Sequence, residues 1–288
     1  MPWWGWTLIG WTGLAVVLAP LVGLGLRSAE RLDRSRRGIV VATAAPPPEP
    51  AGRRRRRRIP IPPIAVGLLL TGVTLQAVGF VIRATGNERG AARLWSMDLP
   101  LSVPRMFVAA VFAVAAVSAF LGAARATGRR PWWIAVGVVA AVVSEVKAGG
   151  TVHVRALETL GVADDPVIAT LGSAVVVGAV LSLLWWLSRT ERRDRRRVLT
   201  AFGIYAVAAV GLSGGSSLLA RAGAADFWQA SATFVEESVE AGGAVAVLTA
   251  VLVGVAPRLV LPADWALRRR ADAETVDAPA ALPGRSRS

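Results

Sequence analysis

Cysteine is absent from the 288 residues of this chain. Its absence excludes disulfides, thiolate metal sites and cysteine nucleophiles. Histidine occurs once, at His153, so a Ser-His-Asp hydrolase has no matched histidine partner in sequence. Lysine also occurs once, at Lys147, among 33 basic residues. The chain holds no Walker A loop, post-strand Gly-x-Gly-x-x-Gly or His-Glu-x-x-His motif. What it has in abundance is apolar length. The hydrophobic share is 54% and the mean hydropathy +0.51. A soluble domain is usually about 45–50% apolar and lacks runs of 20 such residues. The preference for Arg over Lys, with abundant Ala, Gly and Val, matches a GC-rich bacterial genome.

Seven stretches are long and apolar enough to cross a bilayer. They run from about Trp3 to Leu26, Ile59 to Ile82, Val103 to Ala124, Pro131 to Val146, Val167 to Leu187, Val198 to Leu219 and Phe227 to Ala256. The first lacks a basic n-region and exceeds a signal-peptide core, so it reads as a retained helix. Pro60, Pro62 and Pro63 stand at the entry of the second, where proline is tolerated. The expected fold class is an all-α polytopic transmembrane helix bundle.

Charge sets the expected orientation. The linker 27–58 carries 11 Arg, and the loop 188–197 carries six. Arg125, Arg129 and Arg130 mark another basic loop, and Arg258, Arg268, Arg269 and Arg270 follow the last span. The intervening loops 84–102, 147–166 and 220–226 carry at most two Lys or Arg each. Heavy and light loops alternate, so the positive-inside rule places the N-terminus outside and the C-terminus in the cytoplasm of a cell-membrane protein. The organisation expected is a first helix at 1–26, an Arg/Pro-rich cytoplasmic linker at 27–58, a six-helix core at 59–258 and a disordered tail at 259–288. The net charge of +14 would point to nucleic acid in a soluble protein. Here topology explains it, and no specific nucleic-acid partner is expected. The expected partners are the lipid bilayer and, at Arg53 to Arg58, anionic lipid headgroups.

Polar residues inside the apolar spans carry the candidate chemistry. Gln229, Thr233, Glu236, Glu237 and Glu240 fall within roughly a 100° arc of one helical face at about 100° per residue. Carboxylates near hydrocarbon are costly, which makes such a stripe a functional-site candidate. The bland alternative is an acidic helix start at the interface, which suits the helix dipole. In the expected topology Asp98, Arg105, Glu145, Lys147 and His153 come to the same outer height. The pair Gly149 and Gly150 ends the fourth helix just below His153. One histidine with several carboxylates suits a divalent metal, and His153, Glu236 and Glu240 are its candidate ligands. Close carboxylates also serve proton or cation relays. Ser213 to Ser217, in the outer half of the sixth span, read as small residues permitting close helix packing.

Three patches resemble a group of uncharacterised bacterial multi-pass membrane proteins. They are Asp98-Leu-Pro-Leu-Ser-Val-Pro104-Arg-Met-Phe107, the stretch from Trp132 to His153, and Phe234-Val-Glu236-Glu237-Ser-Val-Glu240-Ala-Gly242. The last is similar to the group's closing Glu-Glu-x-x-Glu-x-x-Gly helix. The chain departs from that group at Pro100, where an acid is expected. It departs again at Lys147 or Ser144, standing for an Asp, and at Val154, standing for a Glu. The resemblance implies a polar site but brings no activity. The function expected is an outward-facing acidic site binding a cation, a proton or a small polar ligand, in transport or sensing. The competing readings are a membrane-embedded metal-dependent lipid hydrolase and a non-catalytic scaffold.

Overall fold

The computed structural model describes residues 62–261, apart from 87, 88, 126, 160, 162–165, 190 and 191. The predicted span Trp3–Leu26, the linker with Arg53–Arg58 and the tail beyond residue 261 lie outside the described residues. Among the described residues there is no strand. The helices are α1 (Pro63–Ala84), α2 (Val103–Arg125), α3 (Arg130–Lys147), α4 (Val152–Thr159), α5 (Pro166–Leu187), α6 (Arg192–Ala206), α7 (Ser213–Arg221), α8 (Asp226–Val255) and α9 (Pro257–Val260). A 3-10 turn covers Gly90–Trp95, and a π-helical turn, Val207–Leu212, joins α6 to α7.

Five of these stretches are long and apolar enough to cross a membrane: α1, α2, α5, the continuous run Asp194–Arg221, and α8. The chain is therefore a multi-pass membrane protein by length and composition. The helix α3 corresponds to the fourth predicted span, but its 18 residues include Arg130, Glu145 and Lys147, which lower its apolar character. Two features were not expected. Residues 152–159 are a short helix rather than open loop, and the sixth span is interrupted by the π turn. Such turns insert one residue into the helical ladder and often occur at functional sites.

Helix starts and stops follow local chemistry. Pro63 and Pro131 occupy first-turn positions of α1 and α3, where no amide hydrogen bond is lost. The predicted stop after α3 is observed. Ala148 caps it, and Gly149 follows at φ 101°, a region L side chains rarely enter.

The long helix α8 is the axis of the bundle and packs against α1, α2, α6, α7 and the π turn. Small residues let these helices approach closely, as in other membrane bundles. Tyr205 of α6 crosses α8 at Gly243, where a Cβ would lie 2.9 Å from the Tyr205 Cα. The Phe120 ring of α2 lies over Gly137 of α3, and the Trp133 ring lies over Gly254 of α8. The buried core runs through Phe112, Ala115, Ala116 and Ala119 of α2, Trp132, Trp133 and Val136 of α3, and Ala244, Val247 and Val251 of α8.

Candidate functional site

The helices α1 and α8 run antiparallel. Gly72 abuts Ala241, whereas Phe80, two turns further along α1, meets Phe234 and Phe227. This register brings the start of α2, the end of α3 and the first half of α8 to one end of the bundle. Glu240 is the fifteenth residue of the 30-residue α8, about 21 Å from Asp226 at 1.5 Å per residue. It is thus mid-helix, not at a frayed end.

The acidic stripe of α8 is buried, with Glu236, Glu237 and Glu240 at 9%, 5% and 2% exposure. Its members face two different neighbours. The Lys147 ammonium, itself buried, lies 3.2 Å from both carboxylate oxygens of Glu237 and forms a second ion pair with Glu240. The Tyr205 hydroxyl faces Glu240 from α6. Glu236 instead accepts a hydrogen bond from the Ser216 hydroxyl of α7 at 2.8 Å. Adjacent positions on a helix point about 100° apart, which is why Glu236 and Glu237 find different hydrogen-bond partners.

Arg105 closes the cluster from above. Its Nε donates to the Lys147 carbonyl at 3.4 Å, and its Nη1 donates to the Asp98 carbonyl at 2.9 Å. It also lies near Glu237. Two cations, Lys147 and Arg105, therefore stand against Glu237 and Glu240. Desolvated charges require such pairing, because an uncompensated buried charge costs several kcal/mol. A further hydrogen bond locks α3 to α2 beside this point, from the Ser144 hydroxyl to the Ala109 carbonyl at 2.6 Å.

Two predicted members sit apart from the cluster. The Asp98 carboxylate pairs with Arg83 at 2.9 Å and accepts from Ser96 at 2.9 Å, on the exposed surface. The Glu145 carboxylate folds over Gly150 toward the backbone N–H groups of Thr151 and Val152. It therefore helps start α4. The His153 backbone lies in α4, and its side chain is outside the described residues. Among the described residues, no group of three or more His, Asp or Glu side chains is arranged to hold a metal. Of the flanking stripe residues, Gln229 bonds the Ala224 carbonyl and Thr233 bonds the Gln229 carbonyl within their own helix region.

Three contributors were not among the site residues expected from the sequence. Tyr205 looked like one more apolar residue of its span, and Ser216 looked like packing. Gln76 is the third. It is 1% exposed, and neither polar atom of its amide has a hydrogen-bond partner. It lies one turn beyond Gly72, which touches Ala241, so in the antiparallel register it stands level with Glu237. A lone glutamine in an apolar run is a recognisable signal, but its depth and level need the α1–α8 register.

No family model, curated protein or solved structure matches this chain.

Proposed function

We propose that this multi-pass membrane protein binds a proton, or a small cation or polar ligand, at the buried Lys147–Glu237–Glu240 cluster. A transport or sensing role follows from that binding. The observation that carries the reading is one ammonium shared between two buried carboxylates at mid-helix, with the unpartnered Gln76 amide at the same level. Two carboxylates that share one ammonium repel each other, so the cluster can change its charge by a single proton. The π turn of the neighbouring helix, between Tyr205 and Ser216, supplies a backbone element able to shift as that charge changes. Seven spans and an outward-facing cluster complete the proposal. The absence of cysteine makes the chain a ready background for checking it. An impermeant maleimide added outside cells should label Leu101→Cys and spare Arg125→Cys.

The functional test uses reconstituted protein and a hydrophobic carbodiimide, which reacts with protonated carboxyl groups. Over a pH series, the buried cluster should be modified with a steep pH dependence, and Glu237→Gln/Glu240→Gln should remove the labelling. The same variant should abolish any cation- or proton-dependent flux read by a pH dye trapped in the vesicles. If both carboxyls react at the rate of the exposed Glu158 at every pH, and the Gln variant leaves flux unchanged, the reading fails.

A further inference from the structure

A second feature lies at the same end of the bundle, on the surface rather than inside. A cleft of about 510 Å³ opens where α1 ends and the chain doubles back through Arg89–Leu99. Arg83, Arg89 and Arg93 line it, and Asp98 is the acid among its lining residues. Asp98 is already engaged, by Arg83 on one oxygen and by Ser96 on the other. Arg89 and Arg93 have no acid partner among the described residues.

The walls are built rather than loose. Met97 is 1% exposed and anchors the returning segment against α1. Gly79 admits that segment, since a Cβ there would lie 2.5 Å from the Trp95 carbonyl oxygen and 2.8 Å from Met97. Arg105 holds the Asp98 carbonyl from below at 2.9 Å. In the proposed orientation this is the outer end, where the positive-inside rule gives arginines no topological role. Three guanidiniums around one cleft therefore call for another explanation.

We propose that this cleft binds a phosphate group, a tetrahedral oxyanion of up to two negative charges. Two guanidiniums without an acid partner among the described residues match that charge, and their planar forks match its oxygens in bidentate fashion. Leu94 and Trp95 stand exposed beside the cleft, an apolar and aromatic rim of the kind found at membrane interfaces. The phosphate can thus come from a lipid headgroup or from solution. This site is independent of the buried cluster, and its failure would leave that reading intact.

The test uses the full chain in nanodiscs of phosphatidylcholine alone, titrated with inorganic phosphate by calorimetry at constant ionic strength. A parallel set contains phosphatidic acid, with lipid retained on the protein read by native mass spectrometry. Saturable binding of one phosphate per chain is expected in at least one arm. Arg89→Ala/Arg93→Ala should weaken it by about tenfold or more, as loss of charge-assisted pairs requires. Asp98→Asn should tighten it by removing the competing acid, a change that a folding defect would not produce. Phosphate binding in the pure phosphatidylcholine discs identifies a soluble phosphate. Retention of phosphatidic acid without phosphate binding identifies a headgroup. Binding in neither arm, or binding unmoved by the double arginine variant, overturns the proposal.

Discussion

The helices α2 and α5 are almost equally apolar, yet most of α2 is buried and almost none of α5 is. Their neighbours separate them: α2 packs along its length against α3 and α8, whereas α5 touches α3, α4 and α6 at few positions. The buried face of α2 combines Val108, Val111 and Phe112 with small residues such as Ala109, Ala116, Ala119 and Gly122. The surface of α5 presents Ile168, Leu171, Val175, Leu183, Trp185 and Trp186. In a bilayer, apolar character does not drive helices together, because lipid is as apolar as leucine; small residues that admit close packing do. The same contrast governs polarity. The axis helix α8 carries three buried carboxylates, whereas α5 has no charged residue between Pro166 and Leu187.

This contrast can be broken by substitution, and the effects should fall in a definite order. Lys147→Met should be the most damaging, because it strands Glu237 and Glu240 without their ammonium. Breaking a buried pair costs about 3–5 kcal/mol. Denaturation in mixed micelles should show that loss, and adding Glu237→Gln/Glu240→Gln should recover most of it. A Lys147→Met protein as stable as the wild type would mean that water, not Lys147, compensates the acids.

Gly243→Leu comes next. Its nearest neighbour is the Tyr205 backbone, which cannot swing aside, so overpacking should cost about 1–3 kcal/mol. The same assay checks it, and an unchanged midpoint would show that α6 and α8 do not cross as described. Ser144→Ala should cost less. It removes the 2.6 Å bond to the Ala109 carbonyl, and interhelical hydrogen bonds in membranes average about 0.6 kcal/mol. Val175→Ala on α5 should fall within about 0.5 kcal/mol of the wild type, as substitutions away from packed features do. A larger loss there would mean that α5 is covered by protein rather than lipid, and cross-linking between copies would then be the measurement to make.

The contrast also explains what the sequence disclosed. Helix positions were readable from apolar length, prolines at entries and glycines at exits, and α1, α2, α3, α5 and α8 lie close to the predicted spans. The expected alternation of spans put Arg105, Lys147, Glu237 and Glu240 at one height. The pairing itself was not legible, because Lys147 and Glu237 are 90 residues apart and nothing local links them. The stripe Glu236–Glu240 read as a single acidic face, and its division between Ser216 and Lys147 needed the positions of both neighbouring helices. Gln76 was hidden for the same reason, since its level depends on the α1–α8 register. The π turn has no local signature in Val207–Leu212, a run of ordinary small and apolar residues.

The central claim is that Lys147 and the α8 acids form one buried charged unit. A double-mutant cycle on Lys147→Met and Glu240→Gln, read by unfolding in mixed micelles, measures this most directly. The account predicts strong coupling, with the double variant more stable than the sum of the two losses by about 1.5 kcal/mol or more. Losses that add to within about 0.5 kcal/mol would contradict it, because independent sites behave that way.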